Sequence, residues 1–178
     1  MKADEIARLL KDRFGPVVLE TVTETIQPWV RVEPAKIVEV AGFCRDSEQL
    51  EFDFLRSIAG VDYKEELELV YLLFSYTHRH EFKLKVRVPR ENPEVPSVEG
   101  IWPAANWHER EQYDLLGFQF SGHSDLRRIM LPDDWEGHPL RKDYKERDSY
   151  RGVSTTREYL TGMPQLPTLP PIPSGVKK

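Results

Sequence analysis

The residues able to do chemistry crowd into one stretch, Trp107 to Tyr144. It holds His108, His123 and His138, the carboxylates Glu109, Glu111, Asp114, Asp125 and Asp133, and the arginines Arg110, Arg127, Arg128 and Arg141. Imidazole and carboxylate are zinc and iron ligands, so a metal site is the first chemistry to weigh. Against it, His108-Glu109 is not followed by the second histidine of a His-Glu-x-x-His helix, and the three histidines lie in separate segments. Glu111 and Asp114 could act as a hydrolytic acid–base pair. The arginines around them would hold both carboxyls ionised and spoil the acid. No Gly-x-Ser-x-Gly, Gly-x-Gly-x-x-Gly or Gly-Lys-Ser/Thr occurs, so nucleophile elbows and the common phosphate loops are excluded. His78 and His80 are two apart near a strand end and read as a surface turn.

A different use of these residues follows from helical spacing. Trp107, Arg110, Glu111 and Asp114 stand at i, i+3, i+4 and i+7 and share one face. A tryptophan, an arginine and two carboxylates make neither a core stripe nor a plain solvated face. They suit a fixed ionic network at a buried junction, with Arg127 and Arg128 as bidentate partners for Glu111 and Asp114.

The rest of the chain must position that stretch. Ala3, Ile6, Ala7 and Leu10 form one apolar stripe, and Gly15-Pro16 ends the helix. Val17 to Val22 and Trp29 to Val32 are β-rich and read as a hairpin. Pro34 opens a second helix carrying Ile37, Val40, Ala41 and Cys44, which makes Cys44 a small core residue. Asp46-Ser47 would cap a third helix bearing Leu50, Phe54, Leu55 and Ile58, stopped by Gly60. Leu67 to Tyr76 is apolar on both faces, as in a strand covered on both sides. Phe82, Leu84, Val86 and Val88 alternate with Lys83, Lys85 and Arg87, giving one dry and one wet face. Pro89 to Pro103 reads as a loop with a helical turn near Val98 to Trp102. Asn106 would cap a helix from Trp107 to Leu116, with Gly117 as its stop. The expected fold is α+β, a mainly antiparallel sheet with helices packed on one face, followed by an extended proline-rich C-terminal tail. Its division is a domain over 1–145 and an arm over 146–178. Pro164, Pro167, Pro170, Pro171 and Pro173 forbid a helix there. Leu160, Met163, Leu166, Leu169 and Ile172 would lie on another subunit.

Composition narrows the function classes. The 178 residues carry a net charge of −5, which argues against a nucleic-acid-binding role. One cysteine permits no intrachain disulfide and no cysteine-ligated cluster from this chain alone. The longest apolar run, Leu69 to Phe74, is far short of a membrane span, and Met1 to Glu5 lacks the apolar stretch of a signal peptide.

Several runs of residues resemble a known family. Glu109-Arg110-Glu111, Asp114-Leu115-Leu116-Gly117, His123 and Arg127-Arg128-Ile129 resemble the signature of the 30-kDa subunit of respiratory complex I, the proton-translocating NADH–quinone oxidoreductase. The continuation Leu131-Pro132-Asp133-Asp134-Trp135-Glu136-Gly137-His138-Pro139-Leu140-Arg141-Lys142-Asp143-Tyr144 is similar to the same family. Phe54-Leu55 leading to Gly60-Val61-Asp62-Tyr63 matches at the level of pattern.

The resemblance implies a chain with no redox cofactor of its own, the iron–sulfur clusters, flavin and quinone belonging to partner subunits. It implies a place in the quinone module of the hydrophilic arm, peripheral to the cytoplasmic side of the cell inner membrane. The implied partners are the subunit related to the hydrogenase large subunit and small iron–sulfur subunits. The chain would be the unfused form of this subunit, an enzyme only as part of its complex. On this reading Glu109, Arg110, Glu111, Asp114, His123, Arg127, Arg128, Trp135, His138 and Arg141 serve a partner interface, with no catalytic, cofactor or metal residue among them. Two alternatives stand beside it. One is the equivalent subunit of a membrane-bound hydrogenase or F420-type dehydrogenase. The other is a metal-dependent enzyme using His108, His123 and His138.

Overall fold

The computed structural model describes residues 1–155. Helix α1 (Ala3–Phe14) opens with Asp4 and Glu5 and closes with Lys11 and Arg13, which complements its dipole. Glu5 Oε2 accepts the Lys2 N–H at 2.8 Å, and the stripe Ile6, Ala7 and Leu10 is buried. Strands β1 (Val18–Val22) and β2 (Trp29–Val32) pair as an antiparallel hairpin. Helix α2 (Ile37–Asp46) follows a short 3-10 turn begun by Pro34 and buries Ile37, Val40, Ala41 and Cys44. Three ten-residue strands come next: β3 (Phe54–Tyr63), β4 (Glu66–Ser75) and β5 (His80–Pro89).

The main sheet has the order β1-β2-β5-β4-β3. Every neighbouring pair is antiparallel except β2 with β5. The expected α+β class with a mainly antiparallel sheet therefore holds. On the core face Ile58, Tyr71 and Leu84 stand side by side across β3, β4 and β5, and so do Gly60, Leu69 and Val86. The large residues of these rows join the buried stripes of α1 and α2 in one core.

The expected third helix over Leu50 to Ile58 does not form; Phe54 to Gly60 belongs to strand β3. A β-bulge causes the misreading. The register slips between Leu55 and Ser57, so one extra residue separates the inward-facing Leu55 and Ile58. A strand's period of two thereby acquires the i, i+3 step of a helix. Gly60 is not a helix stop. It is the place where helix α3 (Ala105–Leu116) meets β3, since a Cβ there would run into Leu116 and Gln112. Gln112 Nε2 donates to the Ile58 carbonyl at 3.0 Å across this close approach.

The proline-rich loop after β5 contains a further strand. β6 (Glu94–Pro96) pairs in parallel with β7 (Gln119–Ser121). Prolines flank or occupy this short strand, and its three residues are too few to show an alternation. By contact the chain divides into Met1–Tyr144 and Lys145–Lys178. Within the second unit, β8 (Ser149–Tyr150) and β9 (Val153–Ser154) form a small hairpin. The expected proline arm falls mostly on 156–178, outside the described residues.

Candidate functional site

Helix α3 begins at Ala105, and Asn106 is not its cap. The Asn106 amide instead donates to Glu99 Oε2 at 2.7 Å. Gly117 ends the helix in the left-handed region at φ 78°, as its type suggests. The face presented inward differs from the expected one. Glu109, Arg110, Gln112 and Asp114 are buried, whereas Trp107 is 62% exposed and Glu111 is half-buried. β3 and the segment 118–144 press on α3 from different sides, so the helix has more than one inward stripe. A single stripe read from spacing misses Glu109 and Gln112 for that reason.

Asp114 is the centre of the arrangement. It is fully buried, and its Oδ2 accepts three successive backbone N–H groups, from Ile129 (3.0 Å), Met130 (2.7 Å) and Leu131 (2.9 Å). Its Oδ1 accepts Arg128 Nη1 at 2.9 Å. Burial works to raise this carboxyl's pKa, but the three N–H donors and Arg128 prevail and hold it below the usual carboxylate range. The expected pairing of Arg128 with Asp114 is present. Arg127 pairs with Asp125 at 2.9 Å rather than with Glu111, and Glu111 makes no ion pair among the described residues.

The helix end is closed from the same segment. His138 Nδ1 donates to the Asp114 carbonyl at 2.9 Å, the Leu140 N–H to Leu115 O at 3.1 Å, and Arg141 Nε to Leu116 O at 2.6 Å. Three orphan carbonyls at the negative end of the dipole thus gain donors, one of them cationic. Burial and the nearby Arg141 and Arg128 push His138 below the ordinary histidine value. Arg128 Nη2 reaches Gly137 O at 3.3 Å, and Trp135 is half-buried with its backbone N–H on Pro132 O at 3.0 Å. A further anchor lies on β3. Buried Asp62 accepts the N–H groups of Lys142 (2.8 Å) and Lys64 (2.9 Å), and Arg90 bridges it to Asp143. Asp62 and Arg90 lie outside the dense stretch, and only the fold reveals their link to it.

A second buried group lies at the start of α3. Glu109 is fully buried, accepting the Val98 N–H at 2.8 Å and the Ser97 hydroxyl at 2.6 Å. Burial outweighs these bonds and raises its pKa. The His123 ring is enclosed. Its Nδ1 accepts the Asp125 N–H at 3.0 Å, so Nε2 carries the proton and donates to Asn106 O at 3.2 Å. Both ring nitrogens are occupied, and Nε2 also lies 3.6 Å from Glu99 and 3.9 Å from Glu109. Arg110 lies 4.9 Å from the centre of the Trp107 ring and donates to Arg127 O at 3.3 Å. Among the described residues no three His, Cys, Asp or Glu form a metal-binding group.

Glu109 yields a test of this geometry. A raised folded pKa means the protonated form suits the fold. That contribution is complete below the ordinary value of 4.5 and lost as pH rises through the raised value. Glu109→Gln is expected to gain stability relative to the wild type as pH rises through that window, read from denaturant midpoints at a series of pH values. Parallel curves would contradict it.

The backbone of 122–144 has almost no regular structure, yet it is tied to α3 and β3 at Asp114, Leu116 and Asp62. These features define a class of α+β protein: a sheet with helices on one side, and a long strap held on its terminal helix by buried carboxylates and arginines. Residues 30–150 match the family model described as the 30-kDa subunit of respiratory-chain NADH dehydrogenase. The NADH-quinone oxidoreductase C subunit of Roseiflexus sp. (strain RS-1) is 53% identical over 117 residues, covering 64% of this chain and 67% of that protein. The C subunit of Chlorobium phaeobacteroides is 42% identical over 149 residues, covering 82% and 90%. Its counterpart in Chloroherpeton thalassium is 43% identical, and the match spans 62% of that protein's length. A chain of the membrane-bound sulfane sulfur reductase, an archaeal respiratory membrane complex, superposes with a TM-score of 0.68 at 28% identity, covering 80% of this chain and 85% of that one. A trypsin-resistant fragment of Nqo5 superposes with a TM-score of 0.58 at 28% identity, covering 71% and 100%. The chain belongs to the respiratory-chain NADH dehydrogenase 30-kDa subunit family.

Proposed function

We propose that this chain is a non-catalytic structural subunit of a proton-translocating NADH:quinone oxidoreductase, placed in the quinone module of the hydrophilic arm. It supports electron transfer from NADH to quinone without holding clusters, flavin or quinone itself. Its neighbours are the subunit related to the hydrogenase large subunit and small iron–sulfur subunits, on the cytoplasmic side of the inner membrane. No helix among the described residues is long and apolar enough to cross a membrane, so attachment would run through those neighbours. The observation that carries this reading is the use made of Asp114. A carboxylate that accepts three backbone N–H groups and an arginine is committed to holding shape.

A fully buried Glu109 or Asp114 serves an interface by fixing the surface above it. The side chains exposed to a partner include Trp107 and Met130, each 62% exposed, Leu140 at 59%, and Arg127 in its pair with Asp125. Large apolar groups on a pinned backbone are the usual anchors of protein interfaces. The double variant Trp107→Ala, Met130→Asp is expected to fold normally and to lower retention of the chain in the purified complex by about tenfold or more. Normal retention with lost NADH:quinone turnover would contradict the structural role. Stoichiometric zinc or iron in the purified chain, with turnover by the chain alone, would favour a metal-dependent enzyme instead.

The reductase that shares the fold favours a second parent complex. That chain belongs to an archaeal respiratory membrane complex whose name specifies sulfane sulfur. Related hydrogenases and F420-type dehydrogenases would employ an equivalent subunit. The proteins that co-purify with this chain decide between the parents.

A further inference from the structure

The main sheet has two faces, and the described helices cover one. On the other, β4 carries Val70, which is buried, and the half-buried Leu72 and Phe74, although an open face calls for polar residues. The sequence of β4 reads as a strand covered on both sides, and the described elements cover this second face only in part, burying Glu68 and Val70 but leaving Leu72 and Phe74 half-exposed. Phe54 (40% exposed), Tyr63 (46%) and the half-buried Trp29 extend the apolar surface across the sheet. The β1–β2 connection overhangs it with Ile26, which is 98% exposed, and walls a groove of about 670 Å³.

The charges on this face are nearly all matched. Glu68, 1% exposed on the groove floor, lies 3.1 Å from Lys85 Nζ and 2.8 Å from Arg87 Nε. Arg31 pairs with Glu20 at 2.8 Å and Arg56 with Glu81 at 2.6 Å. Lys83, at the groove's rim, has among the described residues the neutral Gln27 amide as its hydrogen-bond partner and no ion pair. Burial lowers its pKa, Lys85 and Arg56 push the same way, and Glu81 opposes them. Among the described residues the groove therefore carries one surplus cation amid apolar surface, and what complements it is an apolar segment bearing a carboxylate. A second copy of this chain would bring another surplus Lys83 and no spare carboxylate to meet it, which like charges disfavour.

We propose that the helix-free face of the sheet is an interface, covered in the assembled complex by an apolar segment of a neighbouring polypeptide whose Asp or Glu pairs with Lys83. The proposal rests on the subunit role argued above and adds a second contact surface to the one on α3 and its strap. The test uses the complex purified from membranes. A zero-length carbodiimide, which joins amines to carboxylates, is followed by peptide mass spectrometry. Lys83 is expected to be joined to a carboxylate of another polypeptide. Lys83→Arg should abolish that link while keeping the chain in the complex. Lys83→Glu should lower its retention at raised ionic strength by about tenfold, and Lys83→Gln by less. Lys83 left unreacted, or joined only to Glu81 or Glu68 of its own chain, overturns the proposal. So does a link to a second copy, or release of the chain from anionic vesicles by Lys83→Glu with no protein link. Recovery of the chain without companions overturns the subunit reading as well. Companions without the Lys83 link overturn this proposal alone.

Discussion

Asp114→Ala is expected to cost about 3–5 kcal/mol, the range for breaking a buried ion pair by removing one partner. Four donors lose their acceptor at once: Arg128 and the N–H groups of Ile129, Met130 and Leu131. A domain whose whole stability is about 5–15 kcal/mol would come close to unfolding. Asp114→Asn keeps the shape but removes the charge and turns an amide donor towards other donors, so it should recover only part of the loss. The wild type adds a pH signature. A depressed folded pKa makes the contribution complete above the ordinary carboxylate value of 3.8 and lost as pH falls through the depressed value. His138 acts earlier on the same descent. Its lowered pKa gives stability that is full above 6.5 and declines below it. Denaturant midpoints from neutral to strongly acid pH should therefore fall in two stages, and the second should be smaller in the Asp variants, with Asp62 and Glu99, whose carboxyls are also held low, supplying the remainder. A second stage of unchanged size in both would show that Asp114 is not what holds the strap.

Gly117→Ala is the second change with a large expected effect. At φ 78° an L side chain is strained, by about 1–2 kcal/mol. The added Cβ would also meet the His138 ring at 2.6 Å and Arg141 Nη2 at 2.8 Å. Those are the two side chains that close the end of α3, so they cannot withdraw without releasing Asp114 O and Leu116 O. With overpacking at about 1–3 kcal/mol, a total of about 2–5 kcal/mol follows. Hydrogen exchange should locate the loss, with faster exchange at the Leu140 N–H and little change in β4 and β5. Uniform acceleration throughout would point to global destabilisation and away from this local cap.

Much of the framework is legible in the sequence because the governing patterns are local. The stripe of α1, the alternation of β5, and Gly117 as a helix stop each depend on neighbours within one turn or one strand. The α3 signature and its continuation are legible through family resemblance, and the match over residues 30–150 bears that out. What escapes depends on distant neighbours or on irregular backbone. The bulge beside Arg56 makes β3 read as a helix. Glu109 reads as an interface charge, yet it lies at full depth because Ser97 and Val98 approach from outside α3. Asp62 is separated by 80 positions from Lys142, and no spacing rule connects them. Charge logic pairs Glu111 with Arg127, but in the irregular segment that follows the helix Arg127 turns to Asp125.

The donors that finish α3 have a consequence for synthesis. His138 and Arg141 follow the carbonyls they serve by 24 and 25 positions. While the polypeptide is growing, the helix therefore stays frayed at its trailing end until both residues have left the ribosome. A nascent chain stalled before that point would expose raw carbonyls to chaperones and proteases.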